Sequence, residues 1–473
     1  MERKKKTYYL FEFDKNKYIF DYRNIFYSCI DDESYNFYRQ YLEDDHADLE
    51  MKKHVLYEEL RNLYENNIFF SNDLSLERDT EYSEAYISFA PIHTCNLNCK
   101  YCFAEQGRNY KEEDKKISKE NLKRILYYLY FRYFENINNF NIELVSGGEP
   151  MLAFDMIEEM IKISREIYQK SGKKTNFWLC TNGLIYDVKK LKVIDKNNFG
   201  LGISLDGDKV ANDKNRVFAD GSSSYNEVVH NIKKIKLNSE FSKRLRSLRG
   251  LVVITRKTES LVDILKHHKK IGFQSVQMKF VRSNNDDVAI SKEDIPAIQK
   301  LYTELYYFFL DEVKKNDITY IKLILNDNDY WGKIIRKILL RLVTNNRCRA
   351  GKNKVSFTAN GDLYPCDSFV GVNEFCIGNA MTGIKSENVL CNVFCEDRKI
   401  CEKCWARFVC GGDCFHNSYI HNSSVYKPDS VYCAMEKYLI ELSIALVYNI
   451  RVLNVELFFE IQRLIALELN IRN

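Results

Sequence analysis

The segment PIHTCNLNCKYCFAEQG, residues 91–107, places Cys95, Cys99 and Cys102 within eight positions. Disulfides do not persist in a reducing compartment, so clustered thiols in a chain without an evident export signal indicate metal or iron–sulfur ligands. Three thiolates leave one iron of a four-iron cluster without a protein ligand, and that iron can coordinate another molecule. A zinc site completed by a fourth ligand such as His93 is the alternative.

The composition limits the classes of function that are possible. The 473 residues predict two to four domains at roughly 100–200 residues each. Lys and Arg number 70 against 66 Asp and Glu, and the formal charge of +4 is too small and dispersed to indicate a nucleic-acid partner. The basic start MERKKKTYYLFEF lacks a following apolar segment, and no apolar run reaches membrane-spanning length. We therefore expect a cytoplasmic protein that does not bind a membrane.

Strand and helix patterns alternate around the quoted segment, from residue 85 to about residue 282. The strand candidates are AYISFA, NIELVS, NFWLCT, LGISLD, LVVIT and VQMKFV. Amphipathic helix candidates such as SKENLKRILYYLYFRYFEN and DMIEEMIKISREIYQ lie between them. This α/β alternation predicts a parallel sheet that is open or rolled into a partial (β/α)6 barrel. In such folds catalytic groups collect at the carboxyl ends of the strands.

The flanking segments have different patterns. TYYLFEF and KYIFDY read as strands joined by the turn-prone DKNK, and SYNFYRQYLEDD and DLEMKKHVLYEELRNLYENN read as helices, which together predict a small α+β module. SNDLSLERDTEYSE reads as a linker, and residues 293–345 read as mainly helical. Nine cysteines then lie from Cys348 to Cys414, and Cys433 follows. The final apolar stretch contains Glu, Lys and Arg and predicts a docked helix.

The motif CNLNCKYC, of the form CxxxCx-aromatic-C, and SGGEP at residues 146–150 together resemble the radical S-adenosylmethionine (SAM) superfamily. The resemblance implies that the open iron of a [4Fe–4S] cluster binds SAM, which the reduced cluster cleaves to a 5′-deoxyadenosyl radical. By the same resemblance, Cys95, Cys99 and Cys102 ligate the cluster and Tyr101 lies by the adenine. Gly147, Gly148 and Glu149 would bind the methionine amino group.

Two further segments match strand ends of the same superfamily. They are TNG at residues 181–183, which contains Asn182, and SLDGDKVANDKNR, which contains Ser204, Asp206, Asp213 and Arg216. Ser204 and Arg216 are candidates for the methionine carboxylate, an anion that a guanidinium fork suits. Each motif alone could be ordinary turn chemistry. Their order after successive strands favours a cofactor site.

The second cysteine group has the spacing Cys401-x2-Cys404-x5-Cys410-x3-Cys414, and Cys433 lies beyond it. This group resembles the SPASM extension of radical SAM enzymes, which carries two auxiliary [4Fe–4S] clusters. The resemblance implies that Cys401, Cys404, Cys410 and Cys433 hold one cluster and that Cys348, Cys366 and Cys414 hold the other, for three clusters in all. A zinc ribbon is the alternative for this segment.

The chain departs from the fully ligated SPASM pattern. Some members have an extra cysteine shortly after the first, but RAGKNKVSFTANGDLYP contains none. Either the first auxiliary cluster has an open iron, or Cys376, Cys391 or Cys395 reaches it. An open iron could bind a substrate thiolate and orient its sulfur, which would suit thioether formation. Inert thiols are the alternative for these three cysteines.

The resemblance implies an architecture of five parts: a leader-recognition-like domain (1–80), a radical SAM core (81–300), a helical linker (301–347), a SPASM domain (348–433) and a helical segment (434–473). The quoted segment looks most like maturases of ribosomally made cysteine-rich peptides. We therefore expect an enzyme that joins a cysteine sulfur to a carbon of a precursor peptide, with flavodoxin or ferredoxin as electron donor. The leader would bind to the amino-terminal module as an edge strand, and a structural cap is the alternative for that module.

Three alternatives remain for the function. Anaerobic sulfatase maturation, which produces formylglycine, would use the same clusters, and a carbon–carbon crosslinking peptide cyclase would use the same radical. A zinc-stabilised protein without catalysis is the non-enzymatic alternative. The sequence identifies no catalytic base.

Overall fold

A computed structural model describes residues 7–43, 55–66, 82–102, 104, 115–145, 147–238, 247–385 and 389–472. The chain forms two compact units, each built from separate stretches of sequence. Unit 1 comprises Met1–Arg78, Lys292–Arg347 and Phe394–Asn473. Unit 2 comprises Asp79–Ser291 and Cys348–Val393.

Unit 1 begins with a three-stranded antiparallel sheet in the order β1-β2-β3. The strands are β1 (Tyr8–Phe13), β2 (Asn16–Asp21) and β3 (Phe26–Ile30). Asp14 and Lys15 both have positive φ, as the tight turn between β1 and β2 requires. Helices α1 (Asp32–Glu43) and α2 (Val55–Glu65) follow. The predicted order of strands and then helices is confirmed, with β3 as an additional strand. Residues 71–81 of the predicted linker lie outside the described residues.

Unit 2 contains the six strands that the sequence pattern predicts. They are β4 (Glu84–Phe89), β5 (Asn139–Leu144), β6 (Lys174–Thr181), β7 (Gly200–Ser204), β8 (Ser247–Ile254) and β9 (Ser275–Phe280). All six are parallel and pair in sequence order. Four short strands extend the sheet beyond β4: β10 (Lys354–Phe357), β11 (Asp362–Tyr364), β12 (Gly378–Asn379) and β13 (Gly383–Ile384). Of these, β10 runs parallel to β4 and the others are antiparallel to their neighbours.

Helices cover the outer face of this parallel sheet. They are α3 (Lys119–Tyr128), α4 (Phe154–Ser171), α5 (Val188–Lys196), α6 (Lys209–Asp213), α7 (Tyr225–Leu237) and α8 (Leu261–Ile271). A π-helical turn, Leu129–Tyr133, extends α3. Alternate strand residues such as Phe140, Ile142 and Leu144 are fully buried in the core beneath the helices. The other face of each strand therefore points to the interior of the sheet's curve.

The sheet is curled into a partial barrel. Strands β10 and β9 are separated by six strand-to-strand steps, which in a flat sheet would place them about 29 Å apart. Arg282, just after β9, nevertheless donates from Nη1 to Ser368 Oγ, just after β11, over 3.1 Å. The two ends of the parallel series therefore approach each other across an open interior, as the predicted partial (β/α)6 barrel requires.

The remainder of unit 1 is mainly helical, as predicted for residues 293–345 and for the final apolar stretch. Its helices are α9 (Ile295–Lys314), α10 (Thr319–Ile324), α11 (Tyr330–Leu340), α12 (Lys399–Glu402), α13 (Arg407–Cys410), α14 (Phe415–Asn422), α15 (Ser430–Leu453) and α16 (Val455–Arg472). The fully buried Trp331 of α11 donates from Nε1 to Ser443 Oγ of α15 over 2.9 Å. The final apolar stretch forms two helices rather than one, divided at Asn454. Within the described residues, no helix has the length and apolarity that a membrane crossing needs.

Short 3₁₀ turns occupy the segments between these elements. They are Pro150–Ala153, Asp367–Phe369, Asn373–Phe375, Val389–Asn392 and Cys395–Asp397. Most of them lie in the cysteine-rich part of the chain, which has few long periodic elements. Apolar side chains such as Phe369, Leu390 and Phe394 are nevertheless buried there.

Candidate functional site

The first three cysteines lie on the loop that leaves the carboxyl end of β4. Backbone bonds tie this loop to the segment before α7: the Asn98 amide donates to Val217 O over 2.8 Å, and the Lys100 amide donates to Asn215 O over 3.0 Å. The Cys102 amide donates to Cys99 O over 3.1 Å and closes a tight turn. The three thiols are half-buried and outside disulfides. Residues 103 and 105–107 of the quoted segment lie outside the described residues.

The two glycines after β5 pack directly against the cysteine loop. A Cβ at Gly148 would lie 2.2 Å from Ile92 O and 2.7 Å from Thr94 O, and Gly147 has a φ of +137°. A Cβ at Gly147 would lie 2.5 Å from the His93 ring. Only glycine permits this approach, so the glycines place their backbone beside the loop that carries the cysteines. His93, the fourth ligand of the zinc alternative, has its buried ring against Gly147.

The Glu149 side chain ties the glycine turn to the end of β6. Thr181 Oγ1 donates to Glu149 Oε1 over 2.7 Å, and the Asn182 amide donates to Oε2 over 2.7 Å. The Met151 amide also donates to Oε1 over 3.0 Å. Burial raises the pKa of Glu149, and these donors oppose the rise. The carboxylate therefore links the glycine turn to the end of β6, and with three donors recorded it keeps acceptor capacity for a further partner.

The Asn182 side chain lies beside the first cysteine. Its Nδ2 donates to Asn96 Oδ1 over 2.6 Å and lies 3.8 Å from Cys95 Sγ. Its Oδ1 accepts from the Leu184 amide over 3.1 Å. An N–H group directed at a sulfur favours the thiolate form, which is the form that binds iron.

Tyr101, Asp206 and Arg216 form a buried network next to Cys99. Tyr101 donates from its hydroxyl to Asp206 Oδ2 over 2.8 Å and accepts from Arg216 Nη1 over 2.9 Å. Burial alone would lower the pKa of Arg216, but the anionic groups around it, Cys99 first among them, raise it well above its usual range. Burial raises the pKa of Asp206, and Arg216 opposes that rise. The network holds a guanidinium close to the thiols.

The other predicted contacts also lie at strand ends. Ser204 is the last residue of β7 and is half-buried. Asp213 ends α6 and pairs with Lys209 over 2.7 Å. The structure thus brings Tyr101, the glycine turn, Asn182 and Arg216 around the cysteine loop, while Asp213 has a surface ion-pair role.

Four later cysteines form a second group in unit 1. Cys401 and Cys404 lie on one turn, in which the Cys404 amide donates to Cys401 O over 3.0 Å. Burial raises the pKa of Cys433, and the neighbouring Cys401 and Cys404 raise it further, so the three thiols are close enough to interact. Burial and Glu436 raise the pKa of Cys410, and Cys433 adds to this rise. The donor set and its proximity fit the proposed cluster ligands.

Arg347 brings a positive charge to this second group. Its Nη1 donates to Glu436 Oε1 over 3.0 Å and lies 3.9 Å from Cys410 Sγ. Its guanidinium is also stacked against Tyr330 and Tyr432, 5.2 and 4.7 Å from their ring centroids. A fixed cation beside a thiolate stabilises the negative charge that a cluster ligand carries.

Cys348 and Cys366 lie in unit 2, at the two ends of the hairpin formed by β10 and β11. The Gly351 amide donates to Pro365 O over 3.1 Å and holds those ends together. Beside Cys366, Lys354 Nζ pairs with Asp367 Oδ1 over 3.0 Å and with Glu143 Oε2 over 3.2 Å. Cys376 donates to Gly378 O over 3.4 Å. Cys414, the third predicted ligand of this set, belongs to unit 1, as does the buried Cys395.

All fifteen cysteines fall within the described residues, and none forms a disulfide. Across the same described ranges, no group of three His, Cys, Asp or Glu side chains converges as it would around a single metal ion. Ligands of one zinc ion meet at about 2.3 Å from the metal, whereas thiolates on a four-iron cluster bind different irons and stand farther apart. The first loop, with three thiols and a glycine cradle, fits a four-iron cluster.

Sequence reasoning missed the polar residues on the inner face of the barrel. Lys279 on β9, Lys354 on β10 and Glu143 on β5 all lie on strand faces opposite the buried core residues. The signal was present for Glu143 and Lys279, since each alternates with apolar residues in its strand. Nothing local indicated that strands so far apart in the sequence would direct these side chains into one space.

The Radical SAM superfamily profile matches residues 89–268. A cysteine-type anaerobic sulfatase-maturating enzyme of Clostridium novyi (strain NT) is 27% identical over 301 residues, which cover 60% of this chain and 73% of that enzyme.

Two solved structures have the same fold. Native anSMEcpe with bound AdoMet and the Cp18Cys peptide superposes with a TM-score of 0.60 at 22% identity, covering 78% of this chain and 99% of that one. Streptococcus suis SuiB bound to precursor peptide SuiA superposes with a TM-score of 0.51 at 17% identity, covering 88% of this chain and 96% of that one.

Proposed function

We propose that the protein installs a thioether crosslink in a ribosomally made precursor peptide. Residues 89–268 form a radical SAM domain, and the protein is therefore a radical SAM enzyme. The crosslink would join a cysteine sulfur to a carbon of another residue. The observation that carries the proposal is the arrangement at the carboxyl ends of β4, β5 and β6. There three thiols, a glycine turn and a buried guanidinium network surround the mouth of an open barrel.

The radical SAM domain implies a [4Fe–4S] cluster and SAM as cofactors. Cys95, Cys99 and Cys102 would hold the cluster. When bound, the cluster and SAM supply a 5′-deoxyadenosyl radical, which removes a hydrogen atom from the substrate. Asn182 directs an N–H group at the Cys95 sulfur, and the loop's backbone bonds hold the three thiols in place for this role.

The protein's own groups around this loop suit the charged ends of SAM. The backbone of Gly147 and Gly148 would accept from the methionine amino group, and Glu149 would hold that turn in position through Thr181 and Asn182. Ser204 and Arg216 would bind the methionine carboxylate. Tyr101 would lie by the adenine, with its hydroxyl held by Asp206.

We further propose two auxiliary clusters, for three in all. Cys401, Cys404, Cys410 and Cys433 would ligate one, which their proximity and the Arg347 charge support. The second set, Cys348, Cys366 and Cys414, stays a prediction from the sequence pattern. Thioether formation removes two hydrogens: one leaves as an atom to the deoxyadenosyl radical and one as the thiol proton, so one electron must also leave. An auxiliary cluster is the class of acceptor that the chain provides for it.

The proposed cluster at Cys348, Cys366 and Cys414 lacks a fourth cysteine, which favours thioether chemistry. Lys354 and Asp367 lie beside Cys366 and pair with each other. A cluster short of one protein ligand leaves room for a substrate sulfur. The substrate cysteine would thereby be held with its sulfur near the barrel interior.

The partner is proposed to be a precursor peptide with a leader. SuiB is described in complex with precursor peptide SuiA, and anSMEcpe in complex with a peptide, and both have the fold of this chain. In unit 1, β3 is an edge strand of a three-stranded sheet, and edge strands recognise extended peptides by backbone pairing. A ferredoxin or flavodoxin would supply the reducing electron.

The test begins with anaerobic reconstitution, an assay of iron and sulfide, and incubation with SAM and dithionite while 5′-deoxyadenosine is measured. A cysteine-containing precursor peptide is then added and analysed by mass spectrometry after thiol alkylation. The thioether proposal expects a product two hydrogens lighter, with one fewer alkylatable thiol and a sulfur–carbon link in fragment spectra. A lighter product that keeps all its thiols contradicts it.

Anaerobic sulfatase maturation is the second candidate, because the Clostridium novyi relative has that activity by name. That reaction would turn a cysteine into formylglycine, with loss of sulfur and gain of a carbonyl. Reaction of the product with a hydrazide probe, together with absence of a crosslink, would favour it over the thioether. A zinc content without iron and no 5′-deoxyadenosine would contradict both enzymatic proposals.

A further inference from the structure

The inner face of the barrel carries a group of charged side chains that the cofactor site does not use. This interior group consists of Glu143, Lys279, Arg282, Lys354 and Asp367, which come from β5, β9, β10 and the segments after β9 and β11. Three of its members are cationic and two are anionic. The group therefore has one formal positive charge in excess.

The carboxylates of the interior group are already occupied by Lys354. Its Nζ pairs with Glu143 Oε2 over 3.2 Å and with Asp367 Oδ1 over 3.0 Å. All three side chains are mostly shielded, with 22%, 27% and 15% of the Lys354, Glu143 and Asp367 side-chain surface exposed. This arrangement leaves neither carboxylate to neutralise a second lysine at hydrogen-bond distance.

Lys279 has a different environment. Val276 and Met278 of β9 are buried on the helix-facing side, so Lys279 extends from the opposite face into the curve of the sheet. Across the described ranges, its ammonium makes no hydrogen bond or ion pair. Its side chain is nevertheless close enough to Lys354 and Arg282 to be repelled by both, while Asp367 and Cys180 attract it.

Lys279 lies on the inner, concave face of the sheet. The side chain is solvent-exposed by area, yet loss of hydration is the largest cause that lowers the pKa of Lys279 to about 8. A side chain that projects into a concavity, with protein on its sides, accounts for both the exposed area and the loss of hydration. Cys180 and Trp178 of β6 face the same interior, with Trp178 Nε1 donating to Cys180 Sγ over 3.2 Å.

We propose that Lys279 binds a carboxylate of the substrate, an Asp or Glu side chain or the terminal carboxylate of the peptide, inside the barrel. A carboxylate is the anion that a peptide carries at neutral pH without losing a proton to the site. Its entry would neutralise the excess charge of the interior group and supply the missing partner of the ammonium. Lys279 would thus select peptides with an acidic group at a fixed distance from the reacting residue.

This inference rests on the proposed function for the peptide nature of the ligand, so the first test uses a small probe. The reconstituted protein with SAM is acylated with trace acetic anhydride between pH 6.5 and 9.5, and each lysine is quantified by mass spectrometry. The probes are N-acetyl-L-aspartate amide and N-acetyl-L-asparagine amide at matched ionic strength. Lys300, exposed on α9, is the internal reference.

We expect the aspartate probe to raise the apparent pKa of Lys279 by about one unit, as an adjacent opposite charge does. Acylation of Lys279 at pH 7 would then slow about tenfold, while the asparagine probe and Lys300 would show no change. Equal responses of Lys279 to the two probes, or no response to either, would overturn the carboxylate site.

The second test uses a pool of random decapeptides that contain one fixed cysteine. The wild-type protein should enrich Asp or Glu at one spacing from the cysteine by about tenfold, which corresponds to about 1.4 kcal/mol. Lys279→Met should lose this preference, Lys279→Glu should shift it to Lys or Arg, and Gln277→Met, on the same face of β9, should keep it.

The peptide function and the Lys279 carboxylate site predict different outcomes. Peptides retained without an acidic preference, or with an identical preference in Lys279→Met, contradict the carboxylate site and leave peptide binding intact. If the retained peptides show a preference only for the cysteine, the protein recognises the thiol instead. If no peptide is retained, the peptide function fails, and the small-probe measurement still decides whether Lys279 binds a carboxylate.

Discussion

Single side chains hold the cofactor loops of unit 2 in register, and Glu149 is the clearest case. Its carboxylate joins the turn after β5 to the end of β6 through the Thr181 hydroxyl and two backbone amides. The sequence resemblance assigned Glu149 to the methionine amino group of SAM, which stays a prediction, and in the structure its oxygens also accept bonds from the protein. Its role in the described contacts is to position the glycine turn.

Replacing Glu149 with Gln tests that role. One carboxylate oxygen would be replaced by an NH₂ group, which cannot accept the hydrogen bond that the protein now donates to that oxygen. We therefore expect the free energy of unfolding to fall by about 1–3 kcal/mol. Urea unfolding followed by circular dichroism measures it. Glu158→Gln, at an exposed position of α4, is the matched control and should change the midpoint little. Equal effects of the two variants would contradict the positioning role.

The first cysteine loop makes a second prediction at this scale. Cys99→Ala should abolish 5′-deoxyadenosine formation and lower the iron content by about four atoms per chain, since one four-iron cluster would be lost. Iron assay and chromatography provide the two readouts. Cys29→Ala, on β3 and outside both cysteine groups, should keep both values. Unchanged iron in Cys99→Ala would show that the loop does not bind a cluster.

Among elements, β6 and β7 show how one glycine fits two strands together. A Cβ at Gly200 would lie 1.9 Å from Trp178 Cε3, because the indole of β6 lies over the first residue of β7. Arg249 of β8 lies over the same indole, 4.7 Å from its ring centroid. The ring is thus enclosed by neighbouring strands on the inner face of the sheet.

Gly200→Ala should destabilise unit 2 by about 1–3 kcal/mol, because the added methyl group must displace a large ring. Thermal unfolding of Gly200→Ala, Trp178→Leu and the double variant forms a cycle. The loss of stability in the double variant should be smaller than the sum of the losses in the two single variants, because leucine leaves room for the methyl group. Additive effects would contradict a direct clash.

Sequence patterns predicted the long elements and missed the short ones. The six parallel strands alternate or run apolar over five to eight residues and were predicted with helices between them. Strand β3 was missed because every residue in FYSCI is half-buried, so it has no alternation to detect. Strands β10 to β13 have four residues or fewer, which is too short for a period to emerge.

At the scale of the whole molecule, the two units have different sources of stability. Unit 2 has an extensive apolar core between its sheet and helices, whereas the cysteine-rich part of unit 1 consists of turns and short helices, the four-residue α12 and α13 and the eight-residue α14. Short elements of this kind are usually held by metal–thiolate bonds. The predicted domain boundaries at residues 80, 300, 347 and 433 stay predictions.

Removal of iron should therefore affect the two parts unequally. After chelation under anaerobic conditions, residues 399–433 should exchange amide hydrogens faster, while the strands from β4 to β9 should keep most of their protection. Hydrogen exchange read by mass spectrometry measures both in one sample, and reconstitution with iron and sulfide should restore the slow exchange. Unchanged exchange in residues 399–433 would contradict a metal-held segment.

Local sequence patterns were enough to predict the parallel α/β core, the grouping of the cysteines and the iron–sulfur chemistry of three clustered thiols. These features are local: a strand period spans a few residues, and the spacing of Cys95, Cys99 and Cys102 is set within one loop. Tertiary structure alone decided that Lys279 approaches Lys354, 75 positions away, because the curl of the sheet brings its opposite ends across one interior. It also decided which protein groups each predicted residue contacts, as with Glu149, whose carboxylate joins the turn after β5 to the end of β6.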